Sequence, residues 1–453
     1  MSVKRQITGR KFSGRFTGKS HKHDEMFVWL FLRIERNVVM RELVSLENGL
    51  QIWLEPVDTL RTASFGVWIA AGSSHETPQT SGISHFLEHM FFKGSTSRSA
   101  QQIAEQMDAI GGQMNAYTTK EYTCFYARTL SEHVDEGFDI LSDMLVFPAI
   151  LPEDTELERG VVLEEIGMST DDPEDVVGEQ LESAVWRDSP YGMPILGRRE
   201  TVSSFSPHQL KTWLKKHYTG TQTVISICGN YDRDRFLRQA EERFGKIAAG
   251  EPRMSPPTTP YRRSCLVTSR PIEQTHLCFC VPGLPSRSEK RWAMSMLNMI
   301  LGASTSSRLF QRIREELGLV YSIGTDCAPY AGGGLLYVQA AVNPGDARQA
   351  AQEIIAVLNR ARLGVTQQEF ARAREGLKSS LLMSMENSMS RCAYTARGAL
   401  LGEILSDDEL LERVQSVTKE QVDALAYELL DQERLSVSVC GAVEDEAFFR
   451  GLV

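Results

Sequence analysis

The sequence lacks a hydrophobic run long enough to cross a membrane. Its longest uninterrupted apolar stretch, Met26 to Leu32, is far shorter than the roughly 20 residues of a membrane-spanning helix. The 453 residues are 42% hydrophobic and 24% charged, a composition that excludes disordered, collagen-like and coiled-coil proteins. At about 150 residues per domain, the length predicts two or three globular domains.

Closely spaced cysteine pairs are also lacking. None of the eight cysteines forms a Cys-x-x-Cys motif, which argues against a thiolate metal site. Each lies in an apolar, strand-like stretch, so we expect reduced thiols in the core and a cytoplasmic protein. The cysteines are Cys124, Cys228, Cys265, Cys278, Cys280, Cys327, Cys392 and Cys440.

Charge is distributed unevenly. Residues 1–23 carry seven basic residues and no acidic one, so the rest of the chain has a net charge of −17 within a total of −10. This acidic body argues against nucleic acid as a partner. The basic leader and the short apolar run that follows it faintly resemble a secretion signal, but Arg33 and Glu35 come next and no small-residue cleavage site is present. We interpret residues 1–40 as a dispensable, disordered extension, with a targeting segment as the alternative.

The order of predicted elements favours an α+β fold. Asn48-Gly49 lies between two apolar segments and predicts a β-hairpin, and residues 63–69 alternate like a further strand. The period then changes to that of a helix that ends before Gly94, with one apolar stripe. That stripe comprises Ile83, Phe86, Leu87, Met90 and Phe91.

An internal repeat divides the chain in two. Six residues between 202 and 229 recur at a constant offset of 212. They are Val202, Ser204, Gln209, Ser226, Cys228 and Gly229, which recur as Val414, Ser416, Gln421, Ser438, Cys440 and Gly441. The richest proline cluster lies between the copies, so we predict two α+β domains, 41–250 and 265–453, joined by an extended linker at 251–264.

The chemistry suggested by the sequence centres on His85-Phe-Leu-Glu88-His89. Two histidines four residues apart project from one face of a helix, where both imidazoles can bind one metal ion. Glu88 lies between them in projection, beside the ion. Two imidazoles suit Zn²⁺, and a catalytic zinc needs a third protein ligand, for which a carboxylate is expected. The alternative is a chance arrangement of polar residues on an exposed helix face.

Four motifs together resemble a known family. They are His85-x-x-Glu88-His89, Gly94, Gly112-x-x-Asn115-Ala116-Tyr117-Thr118 and Arg159-Gly-Val-Val-Leu-Glu164-Glu165. This set resembles the M16 (pitrilysin/insulysin) metallopeptidases, specifically the short-chain type similar to mitochondrial processing peptidase. The resemblance implies two homologous domains, each a mixed, mainly antiparallel sheet packed with helices, and one Zn²⁺ per chain.

The resemblance also implies the third zinc ligand. In the family this ligand is a Glu about 76 residues beyond the second His, the spacing at which Glu165 stands here. Glu164 is the competitor, and the sequence without the resemblance does not choose between them. The family places a supporting carboxylate two helical turns earlier, at Glu158, for which a solvated surface charge is the alternative. Family members bind substrate along a strand that here contains Asn115, Ala116 and Tyr117.

In the second half, Arg314 and Tyr321 stand seven apart, as do the Arg and Tyr that take part in catalysis in the family. Without the resemblance, this segment predicts a basic amphipathic helix that ends at Gly318, with Tyr321 in the core. Alignment of Gly94 with Gly302 places apolar residues at the zinc-ligand positions, so the second copy is expected to lack a zinc site.

We therefore expect a zinc endopeptidase that cleaves peptides or unfolded segments, with Glu88 as general base. A presequence-processing peptidase and a non-catalytic assembly subunit are the alternatives, because the cytochrome bc1 core proteins resemble this fold without acting as proteases. Long-chain relatives have four such domains and this chain has two, so we also expect a homodimer with shared sites. No nucleic-acid or membrane partner is expected.

Overall fold

The computed structural model describes residues 41–253, 258–443 and 445–453. The leader predicted as an extension, residues 1–40, lies outside the described residues, as do four residues of the predicted linker. The rest of that linker has no helix or strand, and the chain up to 253 and the chain from 258 are called the first and second half below. The domain boundaries themselves stay predictions.

The first half contains a six-stranded mixed sheet. Its strands are β1 (Glu42–Ser45), β2 (Gln51–Pro56), β3 (Thr62–Ile69), β4 (Gln113–Thr118), β5 (Thr123–Leu130) and β6 (Thr223–Gly229). The order across the sheet is β1-β2-β6-β3-β5-β4, and every pair is antiparallel except β2 with β6. Strand β4 is therefore an edge strand, which presents unpaired backbone groups on its outer side.

The second half repeats this design with five strands. They are β7 (Cys265–Ser269), β8 (Thr275–Pro282), β9 (Val320–Tyr330), β10 (Gly333–Val342) and β11 (Ser436–Gly441), in the order β7-β11-β8-β10-β9. Only β7 and β11 run parallel. The expected fold class, two α+β domains with mainly antiparallel sheets, is confirmed.

Helices cover both sheets. In the first half they are α1 (Ile83–Phe91), α2 (Ala100–Ala109), α3 (Val134–Val146), α4 (Pro152–Asp171), α5 (Pro173–Val185), α6 (Arg199–Ser204), α7 (Pro207–His217) and α8 (Arg233–Phe244). In the second half they are α9 (Arg291–Leu301), α10 (Ala347–Arg362), α11 (Gln367–Met385), α12 (Ser388–Leu401), α13 (Asp407–Ser416), α14 (Lys419–Leu429) and α15 (Glu446–Arg450).

In each half, one helix packs against the sheet of the other half. Helix α5, from the first half, packs on β8 and β11, and helix α12, from the second half, packs on β3 and β6. The interfaces are apolar and contain buried thiols, including Cys278 and Cys440 under α5 and Cys392 on α12. None of the eight cysteines is in a disulfide, and six are buried. Because the exchange is reciprocal, separating the halves would expose both sheets.

A buried ionic cluster also joins the halves. Glu55 on β2 is 1% exposed and pairs with Arg41 at 3.1 Å. Its other oxygen accepts a 2.7 Å hydrogen bond from Arg391 on α12, which also binds Asp407. Breaking one partner of such a cluster leaves an uncompensated buried charge, so Glu55 is important for stability.

Candidate metal centre

Helix α1 presents the histidine pair because its opposite face is anchored in the core. Ile83, Phe86, Leu87, Met90 and Phe91 are all buried in the first half's main hydrophobic cluster, as the predicted stripe requires. The helix packs against α4, α7, β4 and β5. The histidines and Glu88 are thus held on a rigid element that faces α4 and the edge strand.

The two imidazoles converge on one carboxylate of α4. The ring centroids of His85 and His89 are 4.6 Å apart. The Nε2 atoms of His85 and His89 lie 3.6 Å and 3.5 Å from Oε2 of Glu165. The ligand atoms of all three side chains lie within 4.8 Å of one another. Glu164 is exposed on α4 and does not belong to this group.

These residues fit a zinc ion. Oε2 of Glu165 is buried and has no hydrogen-bond partner among the described residues, although both Nε2 atoms face it. A cation between the three atoms would satisfy it. Burial lowers the pKa of His85, and the neighbouring His89 lowers it further. Two imidazoles and one carboxylate are a donor set typical of catalytic zinc.

Glu158 contacts one of the two histidines of the site. Its side chain is on α4 and only 4% of the residue is exposed, so the surface-charge interpretation is wrong. Oε1 lies 2.8 Å from Nδ1 of His89, and the amine of Lys93 pairs with Oε2. Burial alone would raise the pKa of Glu158, but the hydrogen bonds from His89 and Lys93 outweigh it and hold the pKa below its usual value. The carboxylate therefore orients the His89 ring, as partners of metal-bound histidines do.

Glu88 contacts the edge strand. Burial raises the pKa of the Glu88 carboxyl above its ordinary value, and the hydroxyl of Thr118 on β4 donates a 2.5 Å hydrogen bond to its Oε2. The carboxylate is thus held between the two histidines on one side and the strand on the other. Sequence reasoning assigned no role to Thr118 or to Lys93. Alternation along β4, and the spacing of four residues from His89, are the signals that could have identified them.

The three predicted substrate-binding residues of β4, Asn115, Ala116 and Tyr117, make different contacts. The 2.8 Å bond from Thr119 N to Tyr122 O closes the β4–β5 hairpin, so by antiparallel alternation the N–H of Ala116 points to the open edge. Oδ1 of Asn115 accepts a 2.8 Å hydrogen bond from that N–H. The Tyr117 ring packs near the rings of Tyr122 and Tyr126.

Arg314 and Tyr321 form a pair in the second half. The Arg314 guanidinium lies 5.6 Å from the Tyr321 ring centroid and 4.8 Å from that of Phe310. Arg314 belongs to a π-helix, Phe310–Glu316, rather than to the longer amphipathic helix that the sequence predicts. The π-helix packs on β9 and α10, and these are not the elements that pack against α1.

Tyr321 is 78% exposed, so the interpretation of this residue as core is wrong. A β-bulge explains the difference. Val320 is aligned with Val342 and Ser322 with Ala341, which leaves Tyr321 without a partner in the register. Val320 and Ile323 both join the core, although residues three apart in a regular strand face opposite sides. The extra residue turns the tyrosine outward, as bulges do.

Comparison with known proteins identifies the family. Residues 52–199 match the model for insulinase (peptidase family M16), and residues 204–377 match the model for the peptidase M16 inactive domain. The chain belongs to peptidase family M16. The description of the second model names an inactive domain. In the second half, Ala293, Met296 and Leu297, at the positions aligned with His85, Glu88 and His89, are buried in the core.

Two relatives of this M16 chain are bacterial proteins named as zinc proteases. The uncharacterized zinc protease YmxG of Bacillus subtilis is 38% identical over 85% of this chain and 95% of its own length. The uncharacterized zinc protease SCO5738 of Streptomyces coelicolor is 37% identical over 89% of this chain and 90% of its own. The family and these names support a zinc metallopeptidase.

Solved structures share the fold at low identity. An M16 inactive-domain protein from Pseudomonas fluorescens superimposes with a TM-score of 0.83 at 19% identity, over 88% of this chain and 98% of that one. A chain of Complex III2 from Candida albicans gives a TM-score of 0.77 at 19% identity, over 90% and 99% of the two chains. Among the described residues, no helix is long and apolar enough to cross a membrane.

Proposed function

We propose that this chain is a zinc-dependent endopeptidase that hydrolyses peptides or unfolded segments. The observation that carries the proposal is the convergence of His85 Nε2, His89 Nε2 and Glu165 Oε2 beside the half-buried carboxylate of Glu88. One zinc ion per chain would be held by the first three residues. When bound, zinc lowers the pKa of a bound water to about 7 and polarises a carbonyl group.

Glu88 is the proposed general base. Its raised pKa lets it accept a proton from the attacking water and return it to the leaving amine. The hydrogen bond from Thr118 fixes the carboxylate near the strand edge, where the scissile peptide would lie. Glu158 keeps the His89 ring in one orientation, with Nε2 directed at the metal position.

The proposed substrate is an extended peptide that adds to the open edge of β4. Such binding uses backbone hydrogen bonds and so accepts many sequences, whereas folded proteins cannot offer a free strand. The outward N–H of Ala116 is a donor for the peptide, but the side chain of Asn115 occupies it. Asn115 would therefore have to move aside when the substrate binds.

The proposed active assembly is a homodimer. Tyr321 is largely exposed and lies in the half that lacks the zinc ligands. We infer that Arg314 and Tyr321 of one chain complete the zinc site of the other, where their donors would stabilise negative charge that develops on the carbonyl oxygen. A presequence-processing peptidase would use the same residues, and cleavage-site mapping with peptide substrates separates it from a general peptidase.

The deciding experiment is Glu88→Gln. We expect the variant to retain zinc and to bind peptide, but to cleave at least about a hundredfold more slowly, the scale of a lost general base. Zinc is measured in the same samples, because a variant that merely lost zinc would give the same rate. Glu164→Gln is the matched control, because Glu164 is an exposed carboxylate on α4. Normal turnover by Glu88→Gln would refute this role, and no turnover by the zinc-loaded wild type would favour a non-catalytic assembly subunit.

A further inference from the structure

A buried carboxylate outside the ligand set holds the start of the histidine helix. Glu76 is 4% exposed, and it lies upstream of α1, beyond a glycine-containing turn. Its Oε2 accepts a 2.6 Å hydrogen bond from Gly82 N, and its Oε1 accepts a 2.9 Å bond from Ser84 N. These amides belong to the N-terminal end of α1, where backbone donors have no partner within the helix.

The helix cannot supply this cap itself. Its N-cap residue is Gly82, which has no side chain, and Gly82 has φ +92°. A Cβ at this position would lie 2.6 Å from Leu196 O and 2.7 Å from the Cα of Gly197. A Ser, Thr or Asp cap at this position is therefore excluded sterically, and the carboxylate has to come from elsewhere in the chain.

The segment that carries Glu76 is bound to the substrate hairpin as well. Just before Glu76, the amides of Ser73 and Ser74 donate to the carbonyls of Thr119 and Lys120, at 3.2 Å and 2.8 Å. Those carbonyls form the turn that follows β4. Glu76 thus lies on a short path of hydrogen bonds from the edge strand to the first turn of α1, which contains His85.

The position of the His85 ring depends on the contact between Glu76 and α1 more than that of the His89 ring does. Glu158 holds the His89 ring through Nδ1, whereas Nδ1 of His85 is buried and has no hydrogen-bond partner among the described residues. The position of the His85 ring therefore follows from its rotamer and from the placement of the helix backbone. Because Ser84 directly precedes His85, a shift of the first turn moves this ligand directly.

We propose that Glu76 is a positioning residue of the metal centre, which fixes the first turn of α1, and with it His85, relative to Glu165 and the edge strand. The proposal rests on the zinc site of the proposed function but not on peptide hydrolysis. A carboxylate at a helix N-terminus also interacts favourably with the helix dipole. Burial raises the pKa of Glu76 to about 7, while the hydrogen bonds from Ser84 and Gly82 and the charge of Lys120 oppose that rise.

The test measures zinc affinity, without substrate. Apo protein is titrated with zinc in competition with a chromophoric chelator. In Glu76→Gln the side-chain NH2 group replaces one of the two acceptor oxygens, so one of the two hydrogen bonds to the helix amides is lost. We expect the zinc dissociation constant to rise about tenfold or more, the scale seen for residues that support metal ligands. Glu76→Asp keeps the charge but is shorter, and an intermediate rise is expected.

Glu55→Gln is the matched control. Glu55 is equally buried in the same half and accepts hydrogen bonds from two arginines, but it lies on β2, away from α1. We expect this control to lose thermal stability and to keep its zinc affinity within about twofold, the spread of context effects far from a ligand. If Glu76→Gln and Glu76→Asp lose only thermal stability and bind zinc like the wild type, Glu76 is a structural residue and the proposal is wrong.

A measurement on the wild type covers the case in which the variants fail to fold. Hydrogen exchange is followed at residues 82–84 in the apo protein. The two bonds to Glu76 predict slow exchange of Gly82 N and Ser84 N, although helix-start amides otherwise exchange quickly. Exchange at the rate of unprotected amides would overturn the proposal. Failure of the peptidase proposal leaves both readouts unaffected, so the two hypotheses are separable.

Discussion

The hydroxyl of Thr118 donates a 2.5 Å hydrogen bond to Oε2 of Glu88, and this contact joins the proposed substrate edge to the proposed general base. Thr118 is the last residue of β4, and Glu88 lies between the two histidines on α1. A residue that only filled space here would not need a hydroxyl. The contact therefore gives Thr118 a role in orienting the carboxylate.

Thr118→Val removes this donor with little change of shape. We expect kcat/KM for a peptide to fall about ten- to a hundredfold, because a hydrogen bond to a charged group contributes about 1.5–3 kcal/mol. Zinc content should stay at the wild-type level. Thr129→Val is the control, since the hydroxyl of Thr129 on the adjacent strand is buried and has no partner among the described residues. Equal kcat/KM for wild type and Thr118→Val would show that the contact does not matter for catalysis.

Zinc binding is expected to distinguish Glu165 from its neighbour Glu164. We expect one zinc per chain in the wild type and in Glu164→Gln, and loss of zinc in Glu165→Gln and His85→Ala. The reason is that Glu165 Oε2 lies within 3.6 Å of both imidazoles, whereas Glu164 is exposed. The measurement is elemental analysis after dialysis against buffer without metal. Retention of zinc by Glu165→Gln, with loss by Glu164→Gln, would mean that the register of α4 is off by one residue.

The sequence predicts the parts of this site that depend on local periodicity. The helical period places His85 and His89 on one face, and the apolar stripe beneath them is buried as expected. Local periodicity does not identify Glu165, because the two histidines are more than seventy residues away; only the family spacing points to it. The α+β class follows from local patterns, since hairpin and helix signals are short-range.

Other features depend on tertiary structure and leave no local signal. The bond between Glu76 and the start of α1 crosses a turn that holds Gly82 against Gly197. The bulge at Tyr321 shifts a strand by one residue, and neither periodicity nor composition marks it. The packing of α5 and α12 on the sheet of the opposite half also could not be predicted locally, because the sequence of an amphipathic helix does not specify which sheet it covers.

An acid-dependent stability is expected in the second half. Arg308 binds both oxygens of Glu369, at 2.7 Å and 2.8 Å, and together with the N-cap contacts of Thr366 this lowers the pKa of Glu369 to about 2. The stabilisation is present above the ordinary pKa of 4.5 and is lost as the pH falls from there toward 2. Glu369→Gln should therefore lower the free energy of unfolding at pH 7 and make it less dependent on pH below 4.5.

Urea unfolding between pH 3 and pH 7 measures this effect. Glu375→Gln is the control on the same helix, since the side chain of Glu375 is 67% exposed and its pair with Lys378 is a surface contact. We expect the control to follow the wild-type curve. If Glu369→Gln keeps the full wild-type dependence on pH, this ion pair is not the source of the acid sensitivity.

Shared active sites can be tested with mixed dimers. Glu88→Gln damages the zinc half of a chain, and Tyr321→Phe damages the half that carries the exposed tyrosine. We expect each variant to be inactive as a homodimer. The two chains are co-expressed with different affinity tags, and only dimers that contain one of each are isolated.

The two arrangements predict different activities for these mixed dimers. If Tyr321 of one chain completes the zinc site of the other, one site contains both lesions and the second site contains none. Independent sites then give about half of the wild-type activity. If each chain uses its own Tyr321, every site contains one lesion and the mixed dimer is as inactive as its parents. The exposure of Tyr321, 78%, and its place in the half that lacks the zinc ligands favour the first outcome. Inactive mixed dimers with full zinc content would exclude the shared-site arrangement while leaving the zinc peptidase proposal in place.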